Sequence, residues 1–336
     1  MKKTTLLFFF ICQYFIGTTQ SLFDKGLQQF DNKEYEAAIL TFKQITASEP
    51  GNYSAWYNIG LCYYNLANYK EAMTNYQQAV KVKPDYVDAW IQLGNTYDYL
   101  DKYNECIAAY QEAIKYDPNN SQAYFELGVT HYRKKIYAES VKAFLKSIDL
   151  NPTKSDTHYR LGLDYKELNQ VTDAQYEFEK AVELGIVNGY AQYELGIIYY
   201  HQNLTDKALE LLNRAIELKP DFVDAYIELG NVYYNNSQPH EAIAPYKKAT
   251  ELSPGDVTAF LYLADAYLND KQFTEALSVY ENAALLEPNN VSVQYGMGLA
   301  YYNLGNKAKL TEQYNKVKLL DNEKAQKLLD YLKKLN

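Results

Sequence analysis

Cysteine is scarce, 3 in 336 residues, which excludes a disulfide framework and a thiolate zinc site. Histidine is nearly as rare. His131, His158, His201 and His240 share no metal-ligand spacing, so neither a metal nor a cofactor is expected. There is no glycine-rich phosphate loop, no GxSxG elbow and no HExxH helix, so an enzyme is not expected. Positive charge is in deficit: 33 Lys plus Arg stand against 42 Asp plus Glu, a net charge of −9. Nucleic acid is therefore not an expected partner, because such binding is driven by release of phosphate counterions. No apolar run reaches the roughly 20 residues that a spanning helix needs. What remains is ordinary, 47% hydrophobic and 22% charged, which excludes a disordered chain. Tyrosine alone is in excess, 36 against 13 Phe and 2 Trp.

Residues 1–20 read MKKTTLLFFFICQYFIGTTQ. Lys2 and Lys3 precede an apolar stretch from Leu6 to Ile16, and the small residues Gly17-Thr18-Thr19 follow. This is the layout of a secretory signal peptide over 1–19. The preferred cut falls after Thr19; an uncleaved anchor is the other outcome, because Thr is a poor residue there. Cleavage removes two lysines and brings the net charge to −11. The expected location is a bacterial periplasm or the exterior, an oxidising setting. Cys62 and Cys106 occupy different positions of the repeat described next, which favours two separate buried thiols over a bridge.

Gly26, Gly60, Gly94, Gly128, Gly162, Gly196, Gly230 and Gly298 share one register with a 34-residue step, and Ala264 fills its vacant place. Pro50, Pro84, Pro118, Pro152, Pro220, Pro254 and Pro288 share a second register with the same step. Between these marks the apolar spacing is helical: Trp56, Ile59, Gly60 and Tyr63 lie at i, i+3, i+4 and i+7. Asn68-Tyr69-Lys70 marks a break, Ala72, Tyr76 and Ala79 resume at helical spacing, and Pro84 ends the second run. A mid-helix glycine costs about 1 kcal/mol relative to Ala. Its recurrence predicts close helix approach, with Gly60 facing Ala72.

Trp56, Ile59-Gly60, Tyr63, Tyr69, Ala72, Tyr76, Ala79 and Pro84 resemble the tetratricopeptide-repeat pattern position for position. So do Trp90, Leu93-Gly94, Tyr97, Tyr103, Tyr110, Ala113 and Pro118. The resemblance implies an all-α superhelix, a solenoid of nine helix-turn-helix repeats over 20–322. Their boundaries are about 19–52, 53–86, 87–120, 121–154, 155–188, 189–222, 223–256, 257–290 and 291–324. It also implies that the first helices line a concave wall. Residues 323–336 read as a capping helix with Leu328, Leu329 and Leu332 as its apolar stripe. Two departures stand out. The fifth repeat ends Gly185-Ile186-Val187-Asn188-Gly189, with Gly185 as a helix C-terminal glycine. The seventh carries Pro239, tolerable in a first turn, and Pro245, expected to kink its helix.

One stripe of the first helices is aromatic where a solvated face should be polar. It holds Phe23, Tyr57, Ile91, Phe125, Tyr159, Tyr193, Ile227, Leu261 and Tyr295. Two turns on come Phe30, Tyr64, Asp98, Tyr132, Lys166, Tyr200, Tyr234, Leu268 and Tyr302. Rings with one polar end suit recognition surfaces; they also pack neighbouring helices together. The expected groove contacts are Tyr57, Asn95, Tyr132, Arg133, Tyr159, Tyr193, Tyr200, Asn231 and Tyr234. The clamp for C-terminal carboxylates known in the family is not expected, because Tyr57, Phe125 and Tyr159 fill its lysine places and only Arg160 is basic. Nor is an asparagine ladder, since Asn58, Asn95 and Asn231 stand apart. The expected function is a non-catalytic scaffold that binds a protein or peptide segment in the Tyr-rich groove. Carbohydrate binding, or a structural or accessory role in an envelope complex, is the alternative. The oligomeric state is not legible.

Overall fold

The computed structural model describes residues 20–335. Within them the chain is helical, without strands. It forms two compact units, Met1–Leu184 and Gly185–Asn336, each taken by itself below. The proposed signal segment, 1–19, lies outside the described residues.

The first unit contains α1 (20–31), α2 (Tyr35–Ser48), α3 (Tyr53–Asn65), α4 (Tyr69–Val82), α5 (Val87–Tyr99), α6 (Tyr103–Tyr116), α7 (Ser121–Arg133), α8 (Tyr137–Leu150), α9 (Ser155–Glu167) and α10 (Val171–Glu183). The second contains α11 (Tyr190–His201), α12 (Thr205–Leu218), α13 (Val223–Asn235), α14 (Pro239–Leu252), α15 (Val257–Asn269), α16 (Phe273–Leu286), α17 (Val291–Asn303), α18 (Lys307–Leu320) and α19 (Asn322–Lys334). In each unit an odd-numbered first helix pairs with the even-numbered second helix that follows, and the pairs stack. No helix among the described residues is long and apolar enough to cross a membrane.

The turn inside each hairpin rests on one left-handed residue. Lys33, Ala67, Asp101, Lys135, Asn169, Asn203, Ser237 and Lys271 have φ between 56° and 64°, and Gly305 closes the series at 70°. After α3, Asn68 N donates to Tyr63 O at 2.8 Å and Ala67 N to Tyr64 O at 3.0 Å. That pair of hydrogen bonds satisfies two of the last carbonyls of the helix. At the other joint the side chain six residues after the turn proline reaches back to its carbonyl. Trp56 Nε1 donates to Pro50 O (2.9 Å), Trp90 Nε1 to Pro84 O (2.8 Å) and Gln294 Nε2 to Pro288 O (2.8 Å).

The glycine register marks close approach of the two helices of a hairpin, and the group that comes closest is most often a ring. A Cβ on Gly60 would lie 2.6 Å from the Tyr76 ring, its nearest neighbour. Phe42, Tyr110, Phe144, Phe178 and Tyr246 sit in the same way on Gly26, Gly94, Gly128, Gly162 and Gly230. Each glycine opens a bed for a large ring, and Tyr76, Tyr110, Phe144, Phe178 and Tyr246 are buried there. Full burial of such a ring contributes about 1.5–3 kcal/mol, which exceeds the helix cost of the glycine. In the hairpin α15–α16, Ala264 takes the glycine place and the Tyr280 ring rests instead on Gly296 of α17, where a Cβ would be 2.3 Å away.

Helix α14 runs unbroken through Pro245, which is buried. Gly185 and Gly189 are left-handed, at φ 81° and 76°, and Gly189 precedes α11. Leu328 and Leu332 of α19 are buried, and Leu328 lies over Gly298. Cys62 and Cys106 are buried and unbonded to each other.

Candidate functional site

The nine expected groove residues all have partners inside the protein, for reasons set by the repeat. The stripe one residue after the Trp56 position packs inward. Tyr57 meets Tyr76 and Tyr86, Tyr159 meets Phe178, and Tyr193 meets Phe222, with centroids 4.8 to 6.0 Å apart. The stripe two turns on ties one hairpin to the next. Asn235 Nδ2 donates to Tyr200 Oη, Asn269 Nδ2 to Tyr234 Oη, and Arg133 pairs with Asp98. Tyr132 sets its ring against Tyr137. Asn95 and Asn231 accept the hydroxyls of Tyr110 (2.6 Å) and Tyr246 (2.7 Å) from the second helix of their own hairpins.

Two cavities open beside those last pairs. In the first unit a cavity of about 250 Å³ is lined by Tyr64, Asn95, Asp98, Tyr99, Tyr110, Glu126, Val129 and Thr130. In the second, a cavity of about 310 Å³ is lined by Asn231, Tyr234, Asn235, Tyr246, Tyr262 and Asp265. They are the same place in the repeat. Asn95, Asp98, Tyr99, Tyr110, Glu126 and Val129 correspond one for one to those six residues, each 136 positions on. In both units the cavity lies between the last turn of one first helix and the middle of the next, over the second-helix tyrosine.

The chemistry of the two linings differs. In the first unit, burial pushes the Glu126 carboxyl above its usual range, against the pull of a hydrogen bond from Gln122 and of the Lys154 and Arg160 charges. Asp98 is matched by the Arg133 guanidinium, which also lies 5.5 Å from the Tyr103 ring. In the second unit, burial raises the Asp265 carboxyl, and a hydrogen bond from Tyr280 Oη opposes that shift. Burial likewise holds Tyr110 and Tyr246 far above the ordinary phenol range, so both hydroxyls are neutral donors. Among the described residues no cluster of His, Cys, Asp and Glu is placed to hold a metal ion.

Of the nine residues expected from the sequence, Asn95 lines the first cavity, and Asn231 with Tyr234 lines the second. The other six line neither. Sequence reading missed Tyr99 and Glu126 in one unit, and Asn235 and Tyr262 in the other. They flank the aromatic stripe rather than lie on it. Aligning the repeats four apart would have exposed the shared set.

Models of the tetratricopeptide repeat match residues 53–86, 87–120, 109–142, 227–285 and 263–309, and a TPR repeat model matches 196–237. No curated protein matches the chain. Among solved structures, the C-terminal part of a TPR repeat-containing protein from Cytophaga hutchinsonii is 18% identical at a TM-score of 0.54, over 82% of this chain and 99% of that one. YrrB, described as a TPR protein with an unusual peptide-binding site, is 23% identical at 0.48, over 55% and 95%. MamA is 28% identical at 0.46, over 48% and 95%.

Proposed function

Because the chain belongs to the tetratricopeptide-repeat family, whose repeat models together match more than half of it, we propose that it is a non-catalytic scaffold. It holds a peptide or helical segment of a protein partner against the first helices. The observation that carries this reading is the pair of cavities at one repeat position, in two units, each walled by tyrosines and convergent polar groups. A concave lining of that kind, apolar rings with a few placed polar atoms, is what ligand sites share. Catalysis has no support in the site: its polar groups bond within the lining or to side chains beside it, and nothing in it pairs a nucleophile with a base. The layout of residues 1–19 supports export to a periplasm or beyond, and the N-terminal sequence of the native protein tests that part.

Site-specific photocrosslinking in the native cell tests the binding surface. A photoreactive residue at position 99 or 262, on the first helices, should capture a partner; one at exposed Leu145 or Leu285, on second helices, should not. Capture from the second-helix positions alone would reject the reading. Saturable heats with cell-wall fragments, and no captured protein, would favour the carbohydrate alternative.

A further inference from the structure

The second unit sorts its charges by helix. Its first helices α11, α13, α15 and α17 contain no lysine or arginine. They carry Glu194, Asp224, Glu228 and Asp265. Most lysines and the arginine of its hairpins stand on second helices instead, as Lys207, Arg214, Lys247, Lys248, Lys309 and Lys316 do, while Lys219 and Lys271 lie in turns. Asp265 is half-buried in the cavity wall. Among the described residues its carboxylate receives one hydrogen bond, from Tyr280 Oη, and makes no ion pair. Beside it the Tyr262 ring stacks on Tyr246, centroids 5.5 Å apart, and is 36% exposed. Tyr234 closes the cavity.

A half-buried carboxylate flanked by exposed ring faces is what a cation prefers: the charge meets the carboxylate and the rings add cation–π attraction. The first unit contains its own worked case. There the wall residue Asp98 already has a cation, Arg133, whose guanidinium also lies over the Tyr103 ring. Arg133 lies 136 positions before Asn269. In the second unit Asn269 takes the place of Arg133 and bonds Tyr234, which takes the place of Asp98. The acid, Asp265, stands on the next first helix in the place of Val129, with no internal cation.

We propose that the second unit's cavity seats a lysine or arginine side chain of an extended partner peptide, held by Asp265 with Tyr234 and Tyr262. This rests on the peptide-binding reading above and gives its partner a chemistry. The first unit's cavity, with Arg133 on Asp98 and the Lys154 and Arg160 charges acting on Glu126, takes no such side chain.

The test measures binding of short extended peptides that differ only at one central residue, arginine, lysine, citrulline, glutamate or leucine, to the full chain by fluorescence anisotropy. The arginine and lysine peptides should bind at least tenfold more tightly than the citrulline peptide, and weaken as salt rises. Asp265→Asn should remove that preference, with an unchanged circular dichroism spectrum. Asp98→Asn should leave it intact. If arginine, citrulline and glutamate peptides bind alike, or Asp265→Asn changes nothing, the cation seat is wrong while peptide binding survives. If no peptide binds, the underlying peptide reading falls and the seat falls with it.

Discussion

Tyr110 Oη donates to Asn95 Oδ1 at 2.6 Å, across a separation of 15 residues. Tyr246 and Asn231 repeat the bond at 2.7 Å, and Tyr280 makes it to Asp265. In four of the other six hairpins the first-helix member is apolar and its second-helix partner has no hydroxyl. Leu27 goes with Phe42, Val129 with Phe144 and Leu163 with Phe178. Every polar first-helix member at this place faces a tyrosine, because a buried acceptor needs a donor. Asn95→Leu should therefore cost about 1–3 kcal/mol, the penalty for an orphaned buried hydroxyl. Asn95→Leu with Tyr110→Phe should recover most of it. Urea unfolding of the two single variants and the double variant measures the coupling, and additive losses would disprove it.

Tyr314, opposite Leu299, has a hydroxyl without that acceptor, and so does Tyr76. Its ring is fully buried, its first-helix counterpart is Leu61, and its hydroxyl has no hydrogen-bond partner. Tyr76→Phe should be neutral or stabilise by up to about 1 kcal/mol, since it removes an unsatisfied polar group and keeps the ring. A loss above that amount in thermal unfolding would show that the hydroxyl has a partner.

Asp164 is fully buried and neither carboxylate oxygen has a hydrogen-bond partner. Burial pushes its carboxyl from 3.8 up to about 7; the nearby Ser140 hydroxyl donates instead to Gly128 O at 2.8 Å. The folded state thus holds this proton more tightly than the unfolded state does. Asp164 opposes folding increasingly as pH rises from about 4 to about 7, and by a constant amount above that. At about 1.4 kcal/mol per unit, the full effect is a few kcal/mol. Asp164→Thr, the residue that Thr130 supplies one repeat earlier, should stabilise little at pH 4 and most at pH 8. Melting temperatures of both proteins across that range check the sign.

Gly296→Ala should destabilise by about 1–3 kcal/mol, because its Cβ would meet the Tyr280 ring at 2.3 Å. Ala264→Gly in the same chain should recover part of that loss by reopening the ring's usual bed. Chemical denaturation of the single and double variants reads the difference. Equal stability of Gly296→Ala and the parent would mean that the ring has another place to go.

The sequence by itself determined the repeat: its period, its two helices per unit and its breaks. Glycine and proline act on their own stretch of backbone, so the same constraint recurs every 34 residues and is visible without a fold. The sequence also gave the inward direction of Tyr76 and its equivalents, since these follow helical spacing. Tertiary structure alone decided what each side chain meets. Partners 15, 16 or 35 residues apart lie on different helices, and only packing brings Gly60 to Tyr76, Asn95 to Tyr110 or Asp98 to Arg133. The cavities are further from view, because each gathers the last turn of one helix, the middle of the next and a buried ring from a third. Periodicity on one helix carries no record of that meeting.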